Sequence, residues 1–177
     1  MPRKVGGFVG IASDKDGFHV LIVSLYTSVM PTFVLNKLVR DGLRHMYADL
    51  EQEAVYQEIT HDQHIALLKA KEVEEFAELD SATGDEVAAE VADCLQIADD
   101  YDTLGEHQKA EALRQRIATH ADAQSVDMTV AEAIRHKKFQ AKGGFAGGTY
   151  VLRLKLRDDD KWVEYYRAEP DKYAELP

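Results

Sequence analysis

The chain has 177 residues, 45% hydrophobic and 30% charged, a composition typical of one folded domain with short extensions. Its 32 acidic residues outnumber its 21 basic ones, and the net charge of −11 argues against nonspecific binding to nucleic acid or to an anionic membrane. The longest apolar run, residues 20–26, is too short to span a bilayer, and the N-terminus lacks a signal-peptide pattern. The single cysteine, Cys94, indicates a reducing compartment, so we expect a cytoplasmic protein.

The first 33 residues differ from the rest of the chain. Residues 18–26 read FHVLIVSLY, a β-branched and aromatic run that predicts a strand. We therefore expect an N-terminal extension, 1–33, that carries this strand. The next segment, 34–56, begins with VLNKLVRD and is expected to run into a helix.

Four helices are predicted in the central part of the chain, at 61–80, 84–103, 106–121 and 129–141. Capping-box pairs mark three of the starts, namely Thr60 with Gln63, Thr83 with Glu86, and Thr129 with Glu132. The Gly143-Gly144 pair ends the last helix. Antiparallel helices with short loops predict a mainly α fold, an antiparallel helical bundle, over residues 34–145.

The C-terminal tail, 146–177, changes to an alternating pattern. Residues 149–156, TYVLRLKL, predict one strand, and 161–167, KWVEYYR, predict a second after a turn. We therefore expect a C-terminal β-hairpin that forms a small β appendage with the N-terminal strand. Trp162 and its tyrosine neighbours could stack on a base, but packing against the helices is the interpretation we favour.

Two acidic pairs lie on the apolar stripes of neighbouring predicted helices. Glu72 with Glu75, and Glu90 with Asp93, are each spaced i, i+3, so each pair shares one helix face. Close, desolvated carboxylates repel one another and are costly to bury, so the arrangement indicates a bound cation. Carboxylate oxygens suit Mg²⁺. The alternative is a set of ordinary surface acids, if the predicted helix phase is off by one residue.

Basic residues lie on both sides of these pairs in the sequence. Lys37 and Arg40 are spaced i, i+3, and Lys138 and Lys142 are spaced i, i+4. An acidic protein that binds a polyphosphate needs such local positive charge. Solvated surface lysines are the alternative interpretation.

Three motifs together resemble a known family. NKLVRD at 36–41, the two acidic pairs, and KKFQAKGGF at 137–145 occur in that order. This arrangement is similar to the MazG-type all-α nucleoside triphosphate pyrophosphohydrolases, and more closely to their phosphoribosyl-ATP pyrophosphohydrolase-like branch. The resemblance covers about residues 34–145.

The acidic signature of that family, EExxE followed by ExxD, fits this sequence in two registers. One register ends on Glu72 and Glu75 and places Lys71 where the family has its first glutamate. The other takes Glu74, Glu75 and Glu78. We prefer the first register because Glu72 and Glu75 share the apolar stripe of their helix.

The resemblance implies a function and a set of roles. In the family, the acidic pairs of two antiparallel helices hold Mg²⁺, for which Mn²⁺ can substitute. Water then attacks the α-phosphorus of a nucleotide and releases a nucleoside monophosphate and pyrophosphate, a reaction that can clean the nucleotide pool. Metal-binding and catalytic roles are implied for Glu72, Glu75, Glu90 and Asp93. Substrate-binding roles are expected for Asn36, Lys37, Arg40, Lys138 and Lys142. Family members commonly form dimers or tetramers, so self-association is also expected.

Two other functions stay open. One is phosphoribosyl-ATP hydrolysis in histidine synthesis, although that enzyme usually lacks NKLVRD and these extensions. The other is a non-catalytic helical module that binds a nucleotide or, through its acidic face, a protein partner. The lysine at position 71 supports this last alternative. The sequence does not select a base or a sugar.

Overall fold

A computed structural model describes residues 30–177, so the strand predicted at 18–26 lies outside the described residues. The described chain forms a helical layer and a sheet layer, each with its own hydrophobic core. In chain order the elements are β1 (Thr32–Leu38), α1 (Leu43–Asp49), β2 (Glu53–Gln57), α2 (His61–Ser81), α3 (Glu86–Thr103), α4 (His107–Thr119), a 3-10 turn (Ala123–Ser125), α5 (Met128–Lys142), β3 (Tyr150–Lys155), α6 (Lys161–Ala168) and β4 (Glu175–Leu176).

The expected fold, a helical bundle with a small β appendage, is wrong. The part of the chain that the structure describes contains six helices and a four-stranded sheet, and the sheet has a core of its own. The predicted C-terminal hairpin is also wrong, because its second strand is the helix α6. Residues 34–56 form a strand, a short helix and a second strand rather than leading into one helix.

The helical layer follows the predicted pattern closely. At the start of α2, Thr60 and Gln63 form the expected capping box, with each side chain accepting a hydrogen bond from the other residue's backbone. Leu68, Phe76 and Leu79 of this helix are buried in the core of the layer, together with residues of α3 and α4. The helix α5 begins instead at the side chain of Asp127, which accepts from Thr129 N.

The sheet layer is antiparallel, with strand order β2-β3-β1-β4. Phe33 of β1 and Val151 and Leu154 of β3 are fully buried in its core. Helix α6 covers this core with Val163 and Tyr166, which are spaced i, i+3 on one face. The aromatic residues of KWVEYYR favour a strand by propensity, but this burial pattern suits a helix.

The end of β1 joins the two layers. Leu38 packs in the helical core, whereas the next residue, Val39, packs in the sheet core. The segment that follows, beginning with Arg40, therefore emerges between the layers. None of the helices in residues 30–177 is long and apolar enough to cross a membrane.

Candidate metal and phosphate site

Three carboxylates from α2 and α3 come together on one side of the helical layer. Glu75 is buried, with 5% of its surface exposed, whereas Glu90 and Asp93 are partly exposed. One carboxylate oxygen of each residue lies within 4.8 Å of those of the other two, a spacing that three ligands of one cation can adopt. We call Glu75, Glu90 and Asp93 the acidic cluster.

Burial and repulsion make the acidic cluster a costly place for three negative charges. Burial raises the pKa of Glu75 to about 7; the charge of Lys71 opposes this rise, and the charges of Asp93 and Glu78 add to it. Burial also raises the pKa of Glu90, with Asp93 and Glu78 again contributing. A divalent cation would remove this cost, and carboxylates are the hard oxygen donors that Mg²⁺ and Mn²⁺ prefer. The residues therefore fit a metal site.

Three basic side chains from separate parts of the chain contact the acidic cluster. Arg40 Nη2 lies 2.5 Å from Asp93 Oδ1, and Lys138 Nζ lies 2.6 Å from Asp93 Oδ2. Lys71 Nζ lies 2.6 Å from Glu75 Oε1. The three motifs that are separated in sequence thus meet in space, with Arg40 from the first and Lys138 from the last.

Backbone and side-chain hydrogen bonds fix the first motif to the last motif and to the segment that follows it. Asp41 accepts from Gly147 N at 2.7 Å and from Thr149 Oγ1 at 2.9 Å. Arg40 Nη1 donates to the carbonyl of Gly143 at 3.0 Å. A Cβ at Gly147 would lie 2.7 Å from the Asp41 carboxylate, so this approach requires glycine. The Arg40 guanidinium is therefore held at two points, Asp93 and Gly143.

Glu72, the fourth predicted ligand, is buried but lies apart from the acidic cluster. Its carboxylate is 2.6 Å from Lys69 Nζ and 3.2 Å from Arg116 Nη1, and it accepts from Tyr101 Oη at 3.3 Å. Arg116 belongs to α4 and Tyr101 to α3, so the Glu72 carboxylate faces these two side chains rather than the other carboxylates. The structure brings three of the four predicted acids together.

The remaining predicted substrate-binding residues occupy different positions. Lys37 is half-buried on β1, and its Nζ donates to Tyr173 Oη at 2.7 Å. Asn36 is exposed, with a left-handed φ of 46°, where the pairing of β1 with β3 is irregular. Lys142 is exposed at the end of α5. Arg40 and Lys138 are thus the two predicted basic residues that contact the acidic cluster directly.

Sequence reasoning undervalued two residues near the site. Glu78 raises the pKa of both Glu75 and Glu90 and therefore lies near them, yet it belongs to the register that we did not prefer. Lys71 departs from the family signature, but in the structure its ammonium group neutralises Glu75. The i, i+3 spacing of Glu75 and Glu78 was the signal in the sequence that could have indicated Glu78.

Other candidate residues have structural positions. Burial raises the pKa of the Cys94 thiol, and the charges of Glu75 and Asp93 add to the rise, so this cysteine is an unreactive core residue. Tyr166 is buried in the sheet core, and Trp162 packs against that core. Tyr165 is 45% exposed beside them.

A second group of potential ligands links the last turn of α2 to the end of α4. His120 Nε2 lies 2.9 Å from Asp80 Oδ1, and His120 Nδ1 lies 3.9 Å from Asp122 Oδ2. Asp80 and Asp122 are exposed, and the imidazole packs beside Phe76. We interpret these contacts as a polar link between two helix ends, based on the hydrogen bond between His120 and Asp80.

Comparisons with protein-family models, with curated proteins and with solved structures found no match.

Proposed function

We propose that the protein is a Mg²⁺-dependent nucleotide pyrophosphohydrolase, which converts a nucleoside triphosphate or a related nucleotide to the monophosphate and pyrophosphate. The observation that carries this proposal is the convergence of Glu75, Glu90 and Asp93 with Arg40 and Lys138. The order and identity of the motifs support it, through their similarity to MazG-type enzymes.

In this proposal the acidic cluster holds the metal, with Glu78 beside it. We leave Glu72 out of the metal set because Lys69, Arg116 and Tyr101 already bind its carboxylate. When bound, Mg²⁺ lowers the pKa of a coordinated water and neutralises phosphate oxygens; Mn²⁺ supplies the same chemistry. In this proposal, a nearby carboxylate that does not ligate the ion would act as the general base and accept the proton of the attacking water.

Arg40 and Lys138 bind the phosphates of the substrate in this proposal. Both now contact Asp93, so both lie next to the place where a phosphate group on the metal would sit. The planar Arg40 guanidinium suits bidentate contact with phosphate oxygens, and Lys138 acts as a point charge. Packing of Arg40 over the Phe145 ring, 4.9 Å from its centroid, orients it.

A panel of common and modified nucleoside triphosphates with Mg²⁺ tests the proposal, with pyrophosphate release as the readout. We expect release from at least one nucleotide, abolished by EDTA and restored by Mg²⁺ or Mn²⁺. Phosphoribosyl-ATP belongs in the panel, because preferential hydrolysis of that compound would assign the protein to histidine synthesis. Absence of release from every compound by folded protein would refute the proposal.

One observation favours the non-catalytic alternative. Lys71 pairs with Glu75 and Lys138 pairs with Asp93, so basic side chains of the protein itself neutralise two carboxylates of the acidic cluster. Calorimetry separates the two functions: tight nucleotide binding with no product formed would indicate a binding module. Preferential binding of a protein partner on the acidic face would point the same way.

Two exposed apolar side chains on one face of α5 support self-association. Phe139 is 48% exposed and Met128 is 41% exposed, and at 100° per residue the two lie on the same side of the helix. Exposed apolar side chains that share a helix face are candidates for a protein interface. We expect a dimer or tetramer by sedimentation, and Phe139→Asp should shift it toward monomer.

The net charge of −11 favours a small anionic nucleotide, bound at local positive charge, over nucleic acid as the ligand.

A further inference from the structure

Four residues form one stripe along α5. Met128, Glu132, Arg135 and Phe139 are spaced by four, three and four residues, so they lie within about 60° of one another around the helix axis. This spacing is typical of the seam between two packed helices. Ala131, on the neighbouring side of α5, is fully buried in the helical core and holds the helix on its own chain. The two ends of the stripe, by contrast, are exposed apolar side chains.

The stripe is symmetric about its midpoint, which falls between residues 133 and 134. Met128 and Phe139 lie at equal distances on either side of the midpoint, and so do Glu132 and Arg135. Two copies of α5 that pack antiparallel about a two-fold axis at this point place each residue opposite its counterpart. Met128 then faces Phe139 of the partner subunit, and Glu132 faces the partner's Arg135.

The charges on the stripe favour a second copy of the chain in this orientation. Antiparallel copies form two equivalent ion pairs between Glu132 and Arg135, whereas parallel copies place like charges opposite each other. Within one chain, Arg135 Nε lies 2.8 Å from Glu132 Oε2, and Arg135 Nη1 contacts Asp99. A guanidinium carries five N–H donors, so these contacts leave donors for a carboxylate of the second copy.

An open cavity lies where the phenylalanine of the second copy would arrive. Met128 and Glu132 line this cavity together with Leu95 of α3 and Ile117 of α4, and its volume is about 360 Å³. This volume is within the range of pockets that take small, mainly apolar ligands. Phe139 is eleven residues from Met128, about 16 Å along the helix, so it cannot fill the cavity of its own chain. The same ring on a second copy can.

We propose that α5 packs antiparallel against α5 of a second copy of this chain, with Phe139 of each copy inserted into the cavity beside Met128 of the other. This proposal assigns one specific arrangement to the dimer. It requires no hydrolytic activity, so it is independent of the proposed function. The residue next to Phe139, Lys138, contacts Asp93, and the interface would therefore also stabilise the helix that carries this contact.

Disulfide crosslinking between two variants tests the arrangement. Met128→Cys protein is mixed with Phe139→Cys protein in oxidised glutathione, and each mixed dimer keeps one of the two apolar contacts intact. The mixture should give at least about tenfold more disulfide-linked dimer than either variant alone, because identical positions lie about 16 Å apart across the two-fold axis. The matched control is a mixture of Val130→Cys and Ala141→Cys proteins. These positions have the same separation but lie exposed on the opposite side of α5, so they should not crosslink.

Sedimentation of a charge variant tests the ion pairs separately. Glu132→Arg places like charges opposite each other and should raise the dissociation constant of the dimer at least about tenfold. The matched control is Glu164→Arg, the same change of charge at an exposed position on α6 in the sheet layer. It should leave the dissociation constant within about twofold of the wild type. Circular dichroism checks that both variants are folded.

The outcomes separate this inference from the proposed function. A wild-type chain that sediments as a monomer would overturn the interface even if the protein hydrolyses nucleotides, and so would binding of a different protein to α5 of that monomer. A dimer whose variant mixture crosslinks no more than the control mixture would overturn the antiparallel arrangement, as would an unchanged dissociation constant in Glu132→Arg. Specific crosslinking without hydrolysis would leave the interface standing and remove the proposed function.

Discussion

Asp93 and Asp100 lie on the same face of α3, two turns apart, yet they have opposite surroundings. Asp93 is partly exposed and paired with Arg40 and Lys138. Asp100 is 2% exposed, accepts from Gln96 Nε2 at 3.2 Å, and its Oδ2 has no hydrogen-bond partner within residues 30–177. The surroundings of a carboxylate on an apolar stripe are therefore set by what lies opposite it, which is a pair of basic side chains at Asp93 and the Gly144 backbone at Asp100.

The largest expected effect is on turnover, and it comes from a substitution in the acidic cluster, to which Asp93 belongs. Glu75→Gln removes one of the three charges of the acidic cluster while keeping its shape. Because metal-ion stabilisation of the transition state is worth several kcal/mol, turnover should fall by at least about a hundredfold. Pyrophosphate release measures this loss, and calorimetry with Mg²⁺ should show weaker binding.

The control for that variant is Glu58→Gln, a change of the same kind at an exposed position before α2. It should keep turnover near that of the wild type, and circular dichroism should show both variants folded. Activity of Glu75→Gln within about twofold of the wild type would remove this residue from the site.

The next largest expected effect comes from the buried Asp100, and it is on stability rather than on turnover. Burial raises the pKa of Asp100 from 3.8 to about 6, while hydrogen bonds from the Phe145 backbone and Gln96 oppose the rise. A raised pKa means that the folded state binds the proton more tightly. The contribution to stability is therefore fully present below pH 3.8 and is lost as the pH rises through about 6.

Asp100→Asn should therefore raise the free energy of unfolding at pH 7 by up to about 2–3 kcal/mol, since each pKa unit corresponds to about 1.4 kcal/mol. The gain should shrink as the pH falls from 7 toward 4. Urea unfolding across this range measures it, with the exposed Asp158→Asn as control. A variant that is less stable than the wild type at pH 7 would show that the charged carboxylate is needed.

Gly144 covers Asp100, and the next prediction concerns this contact. A Cβ at Gly144 would overlap Asp100 Oδ1 and lie 2.8 Å from Gln96 Nε2. Gly144→Ala should therefore destabilise the protein by about 2 kcal/mol, as overpacking usually does. Gly105→Ala is the comparison, because a Cβ there meets nothing within 4 Å and only its φ of 81° opposes the change. A smaller loss at Gly144 than at Gly105 would contradict the close contact.

The helices could be predicted because their signals are local. The prediction of 61–80 for α2 was nearly correct, since the capping box at Thr60 and the apolar spacing lie within the helix itself. The sheet depends instead on pairing between β1 and β3, whose partners, such as Phe33 and Leu154, are far apart in sequence. For α6, the Asp160 cap, which accepts from Trp162 N at 2.9 Å, was the local signal that we missed.

For the candidate site, the sequence indicated which residue types are buried but not which partners they contact. The stripe placed Glu72 and Glu75 correctly inside the helical layer, and both are buried. It could not show that Glu75 lies near Glu90 and Asp93, whereas the Glu72 carboxylate contacts Tyr101 of α3 and Arg116 of α4. Burial periodicity gives a face of a helix, and tertiary packing decides which residue that face meets.

Glu72→Gln tests the difference between Glu72 and Glu75, and it has the smallest expected effect of the substitutions. The variant keeps hydrogen-bonding atoms for Tyr101 but loses the charge that faces Lys69 and Arg116, both of which are more than half exposed. Exposed ionic partners contribute little, so the loss of stability should be about 1 kcal/mol, with turnover within about threefold of the wild type. A loss of turnover as large as that of Glu75→Gln would return Glu72 to the metal set. It would also mean that Lys69 and Arg116 release its carboxylate when the ion binds.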